Sequence, residues 1–117
     1  NGGGASGSVT LNLDASISLT NVTVTSDLRL KHDRGELNPA DAMGLIRRLR
    51  PVRYSLLDDM TEVRYGLYAQ EVRRVIPSAV REGHDGWLGI DYGQTIVTHL
   101  VGAVIDLDSR VAALELV

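Results

Sequence analysis

The amino-acid sequence predicts an α+β fold, in which a short β-rich segment precedes a small mixed domain that ends in a long helix. Two patterns in the spacing of apolar residues support this prediction. Apolar and polar residues alternate strictly from Val9 to Leu19, which is the period of strands buried on one face. From Asn38 onward the apolar residues recur at helical spacing or in short runs between turn residues. We therefore expect two parts, residues 1–25 and residues 26–117.

The first part is predicted to be the end of a β-structure that other chains complete. Residues 1–8 are rich in Gly and Ser and have the composition of a flexible linker. The alternation slips by one residue at Thr20-Asn21, which indicates a turn or bulge, and resumes at Val22 and Val24. Such a ribbon has one apolar face, and nothing in this chain is long enough to cover it. We expect copies from other chains to do so.

The second part is predicted to alternate between helices and short strands. Asn38 and Pro39 are typical of a helix start, and Arg50-Pro51 should end that helix after Met43, Ile46 and Leu49 have shared one face. The remaining elements are bounded by turn residues or proline. They are strands at 52–57 and 63–68 around an Asp58-Asp59 turn, a helix at 69–76, a turn at 83–86 and a strand at 87–90.

The last segment carries a heptad pattern, which is the strongest helical signal in the chain. Val and Leu alternate at spacings of three and four, with Val at every a position and Leu at every d position. The seam consists of Val97, Leu100, Val104, Leu107, Val111 and Leu114. It indicates a helix that associates with other copies, and the alternative is an amphipathic helix that covers its own core. In isolation Val/Leu layers favour two strands.

Composition excludes several classes of function. The net charge of −3 argues against a nucleic-acid partner, and the absence of Cys excludes thiolate chemistry. No apolar run approaches the roughly 18 residues of a membrane span. The three His residues are scattered through unlike segments, so we expect no metal and no cofactor.

Four islands of sequence, taken together, resemble a known family. They are SDLRLK (26–31), LIRRLRPVRYSL (45–56), GLYAQEVRRVIPSAV (66–80) and DGWLGIDYGQTIVTHLVGAVIDL (85–107). In this order and spacing they resemble the endosialidase-type intramolecular chaperone auto-processing domain, found at the C-terminus of bacteriophage tail spikes, tail fibres and neck appendages.

The resemblance implies a homotrimer that aligns three chains while a β-rich stalk folds, and then cuts itself off. Its partners would be its own copies and the upstream stalk of the same chain, with no small-molecule substrate. Residues 1–25 would be the end of that stalk, in an intertwined trimeric β-structure. Assembly would take place in the bacterial cytoplasm, after which the passenger joins the virion and the chaperone fragment is released.

Ser26 and Lys31 are the candidate catalytic dyad of this single-turnover serine endopeptidase. A serine hydroxyl needs a base to act as a nucleophile, and a neutral lysine can be that base. The hydroxyl of Ser26 reaches the carbonyl carbon of Thr25 through a five-membered ring, which favours cleavage between Thr25 and Ser26. Cleavage between Ser26 and Asp27 is the lesser alternative. If Ser26 is not catalytic, its role would be to form a turn or to cap a helix.

Four further residues of the matching islands are predicted to support the dyad. Asp27 and Arg29 would form an ion pair that holds the loop, or would bind across a trimer interface. Gln70 would donate to a developing oxyanion and Glu71 would orient Lys31 or Arg29, unless both only start a helix. Two rival functions remain: a trimerisation domain that never cuts, and the related module of membrane-tethered transcription factors.

Overall fold

The computed structural model describes residues 21–116, and its contacts divide the chain into two compact units, residues 1–35 and 36–117. The strands predicted between Val9 and Leu19 lie outside the described residues. Residues 21–27, which end the alternating pattern, form neither helix nor strand, and Val22 and Val24 are 72% and 54% exposed. A strand needs a hydrogen-bonded neighbour. The boundary predicted before Ser26 is the expected cleavage site and not a division between packed units, and it stays a prediction.

The second unit confirms the expected mixture of helices and strands with a long C-terminal helix. Its helices are α1 (Pro39–Ile46), α2 (Ala69–Val75) and α3 (Val97–Glu115). Its strands form two antiparallel pairs, β1 (Val52–Leu56) with β2 (Asp59–Gly66), and β3 (Val80–Glu82) with β4 (Leu88–Ile90).

Helix α1 begins as predicted and ends earlier. The side chain of Asn38 accepts a hydrogen bond from the Asp41 amide at 3.1 Å, and Pro39 occupies the first turn. The amide of Leu49 bonds to the carbonyl three residues back, at Ile46, so this residue lies in a tightened turn beyond the helix. Pro51 disfavours helical backbone at Arg50, the residue before it, so the helix could not have continued to Pro51.

The two strand pairs differ from the prediction in their bounds. The turn between β1 and β2 lies at Leu57-Asp58, one residue earlier than expected, and β2 begins at Asp59. Strand β3 was not predicted, since three residues are too few to show a period. The predicted turn at 83–86 is present, and Gly86 adopts a φ of 83° that favours glycine.

The core of the second unit is small and lies where α2, β3, β4 and the start of α3 meet. Its buried side chains are Val72, Ile76, Ala79 and Ile96. A turn of π-helix, Tyr92–Ile96, leads into α3 and is capped by Asp91, whose side chain accepts from the Gln94 amide at 3.0 Å and from Thr95 Oγ1 at 2.9 Å. The bond from the Gln94 amide is the main reason that the pKa of Asp91 is lowered.

Helices α1 and α3 pack through small residues. A Cβ atom placed on Gly102 would lie 2.8 Å from Cβ of Ala42, and both residues are buried. The two backbones therefore approach too closely for a side chain at this point.

We expect Gly102→Ala to destabilise the fold by about 1–2 kcal/mol, because the added methyl group overpacks the α1–α3 contact. The control is Gly44→Ala on α1, where a Cβ meets nothing within 4 Å. That change should stabilise the chain by about 0.5–1 kcal/mol through helix propensity. Urea unfolding of both variants measures the difference, and equal stability of the two would contradict the close contact.

Candidate active site

The first unit brings Ser26 and Lys31 together through one short turn. Residues Leu28–Leu30 form a single turn of 3₁₀-helix, in which the amide of Leu30 bonds to the Asp27 carbonyl and that of Lys31 to the Leu28 carbonyl, each at 3.0 Å. The turn reverses the chain between the two polar side chains. As a result, Nζ of Lys31 donates a hydrogen bond to Oγ of Ser26 at 2.5 Å.

The two side-chain atoms are within the distance that proton transfer requires, and in this contact the lysine is the donor. A serine becomes nucleophilic when a neighbouring group takes the hydroxyl proton, and this transfer needs heavy atoms within hydrogen-bond reach. Both side chains are exposed in the single chain. The flanking Leu28 and Leu30 are also exposed, at 72% and 76%. Water therefore reaches the polar pair, and two apolar side chains close to it in the sequence are also uncovered.

Asp27 and Arg29 hold this turn. The Asp27 carboxylate caps it by accepting from the Arg29 amide at 2.9 Å, and its Oδ2 lies 2.8 Å from Nη2 of Arg29. The hydrogen bonds from the Arg29 side chain are the main reason that the pKa of Asp27 is lowered. The two residues therefore form an ion pair within the turn, and their supporting role stays a prediction. A contact across a trimer interface stays a prediction.

Glu71 has a partner that the sequence did not reveal. It lies in the first turn of α2, and its carboxylate binds Arg50 through two hydrogen bonds, of 2.5 Å to Nη2 and 3.1 Å to Nε. Arg50 also lies over the ring of Tyr68, 5.7 Å from its centre. The hydrogen bonds from Arg50 are the main reason that the pKa of Glu71 is lowered. No pattern in one sequence pairs residues that are 21 positions apart.

The roles expected of Gln70 and Glu71 towards the dyad stay predictions. Both residues belong to the second unit, and Gln70 is exposed. The simpler reading, in which they cap α2, has limited support. Tyr68 occupies the N-cap position and makes no side-chain capping bond. A carboxylate in the first turn still favours the helix through its dipole.

The heptad seam of α3 lies on the surface of the single chain. Its six Val and Leu residues are between 43% and 73% exposed. The buried residues of α3 are instead Gly102 and Ala103, on the side that packs against α1. The seam therefore does not cover the core of its own chain, as the alternative interpretation required.

Within residues 21–116, no group of three or more His, Asp or Glu side chains is arranged to hold a metal ion. Of the helices in that same range, none has the length and apolar character to cross a membrane.

Comparison with known proteins gives two matches. Residues 26–81 match the S74 peptidase family, described as "Chaperone of endosialidase". Myelin regulatory factor homolog 1 of Caenorhabditis elegans is 36% identical over 101 residues, which is 74% of this chain and 11% of that protein. The chain thus spans about a tenth of this relative. The matched segment begins at Ser26 and includes the dyad, the Asp27–Arg29 pair and Glu71. Through residues 26–81 the chain belongs to the chaperone-of-endosialidase family and carries its chaperone-type domain.

Proposed function

We propose that this chain is a C-terminal intramolecular chaperone that trimerises, aligns the β-rich stalk of a phage tail spike, fibre or appendage, and then releases itself by cutting beside Ser26. The observation that carries the proposal is the 2.5 Å hydrogen bond between Lys31 and Ser26 at the start of the family match. The chain acts once, on its own backbone. The passenger would enter the virion, and the chaperone fragment would leave it.

The reaction begins with an attack of Ser26 Oγ on the carbonyl carbon of Thr25. Lys31, as the neutral amine, takes the hydroxyl proton while the new C–O bond forms. The C–N bond between Thr25 and Ser26 then breaks, and the ammonium of Lys31 returns the proton to the departing nitrogen. Water hydrolyses the resulting ester, which leaves a carboxylate on Thr25 and a free amino group on Ser26.

Assembly would complete the site by removing water from it. Burial favours the neutral form of a lysine, which is the form a base needs. In the single chain the pair is exposed, as are Leu28 and Leu30 between them in the sequence, so neighbouring chains that cover this turn would also desolvate the amine. Cutting would then follow assembly, and only a stalk in register would be released.

The exposed face of α3 supports assembly with copies of this chain. The six seam residues are joined on the surface by Val101 and Ile105, which are 55% and 54% exposed. This band is wider than a strict a/d stripe. A helix in a trimer contacts two neighbours and buries more of its circumference than one in a dimer, so the wide band favours three chains.

A second kind of passenger is suggested by the nematode relative, whose name is that of a regulatory factor. The same module would then release an upstream regulatory domain rather than a stalk. The strict alternation from Val9 to Leu19 favours the stalk, because it is the pattern of a β-ribbon that needs cover.

Ser26→Ala should abolish cleavage and leave assembly intact, because it removes only the nucleophile. Denaturing mass spectrometry of the wild type should show a fragment of 92 residues that starts at Ser26 (117 − 25 = 92). The control is Ser78→Ala, at an exposed serine outside the dyad, which should be cut like the wild type. A wild type that stays full-length as a folded trimer would leave only a non-cleaving trimerisation role.

Lys31→Arg tests whether Lys31 acts as a base or only contributes a positive charge. Arginine keeps the positive charge and can donate to Ser26, but it does not give up its proton. We expect the rate of cleavage to fall by about 100-fold or more, the usual contribution of a general base. Cleavage is followed by mass over time and assembly by sedimentation. A rate within a few-fold of the wild type would show that Lys31 only positions the serine.

Leu107→Asp tests whether cutting depends on assembly. A carboxylate at a d position of the seam should keep the chains apart, since burial of an unpaired charge is costly. Ser109→Asp places the same charge two residues further, at an exposed position outside the seam, and should assemble and cut normally. Cleavage at the wild-type rate in a monomeric Leu107→Asp variant would refute the coupling.

A further inference from the structure

We infer that the C-terminal half of α3 joins copies of this chain in parallel and in register, through an ion pair between Arg110 and the partner's Glu115. The inference rests on the proposed self-association and adds the contact that sets its direction. It concerns the charged residues beside the seam rather than the seam itself.

The heptad positions of the two residues are the first argument. With Val at a and Leu at d, Arg110 occupies a g position and Glu115 an e position. These positions border the apolar seam, and charged residues there form salt bridges between helices that set partner choice and orientation. In a parallel coil, a g residue faces the e residue five positions later on the neighbouring helix. Arg110 and Glu115 have that spacing and opposite charges.

The second argument is that both side chains are exposed in the single chain. Arg110 is 59% exposed, and its one intrachain ionic neighbour among the described residues is Asp106, with Nη1 and Oδ2 3.8 Å apart. This distance exceeds that of a hydrogen bond. Glu115 is also exposed. Residues five apart on one helix do not face each other, so the two cannot pair within a chain.

An antiparallel arrangement would not form this pair. It would place g positions beside g positions, and with the six seam residues of both helices overlapped Arg110 would lie beside the partner's Ala103. It would likewise bring e positions together, so that Asp108 would lie beside the partner's Val101. The ion pair is made only in the parallel direction, which the charge pattern therefore favours. A chaperone that aligns three stalks needs this direction, since all three enter from the same end.

This contact is confined to the C-terminal half of the helix. In the preceding heptad the e position holds Val101 and the g position holds Ala103, which is buried on the side towards α1. These residues cannot form ion pairs. The N-terminal half therefore contributes apolar surface, whereas the C-terminal half sets direction and register.

A charge-reversal cycle tests the pair. Arg110→Glu, Glu115→Arg and the double variant are prepared in a Ser26→Ala background, so that every chain has the same length. The concentration of half-assembly is measured by analytical ultracentrifugation at low salt. Each single reversal should raise it about three- to ten-fold, since three exposed pairs become repulsive, and the double variant should restore it. Ser109→Glu, outside the seam on the same turn, should have no effect.

The outcomes separate this inference from the proposed function. Recovery in the double variant supports the parallel pair, because the two positions do not interact within one helix. The effect should also disappear in about 1 M salt, which screens exposed charges. Assembly without recovery would overturn the pair and its direction, and would leave the trimeric chaperone standing. A Ser26→Ala parent chain that remains monomeric would overturn both the ion pair and the proposed trimeric chaperone.

Discussion

The contact between α1 and α3 at Ala42 and Gly102 determines which face of the long helix is available to other molecules. The backbones meet so closely there that a Cβ on Gly102 would lie 2.8 Å from that of Ala42. With this side of α3 committed to α1, the Val/Leu seam is left on the outside. Bulkier residues at the contact would force α3 away from α1. The exposed seam is thus a consequence of two small residues.

The rest of the second unit buries little apolar surface that could offset the exposed apolar residues of α3. Among the described residues, its buried core cluster consists of four side chains, and the strands form two separate pairs rather than one sheet. Small domains bury a smaller share of their surface than large ones and often depend on association for stability. A helix that leaves six large apolar residues exposed fits a chain that folds together with its copies. The same need would link the stability of the chaperone to the state of assembly.

The geometry of the candidate dyad, in contrast, depends on residues that are close to one another along the chain. One turn of 3₁₀-helix, capped by Asp27 and held by Arg29, brings Lys31 to Ser26 within the first unit. An exposed pair of this kind is formed before it is desolvated. In the proposed mechanism, assembly would have only to exclude water, and this would couple a single reaction to the completion of the trimer.

The sequence by itself determined whatever depends on near neighbours along the chain. These features are the α+β class, the start of α1 after its cap at Asn38, the hairpin of β1 and β2, the long helix α3 and the nearness of Ser26 to Lys31, whose catalytic roles stay predictions. Each arises from periodicity or from side chains a few residues apart. Only the tertiary structure decided that Gly102 and Ala103 turn towards α1, that β3 pairs with β4, and that Arg50 binds Glu71. Such contacts join distant positions, and no local pattern encodes which partner packing will select.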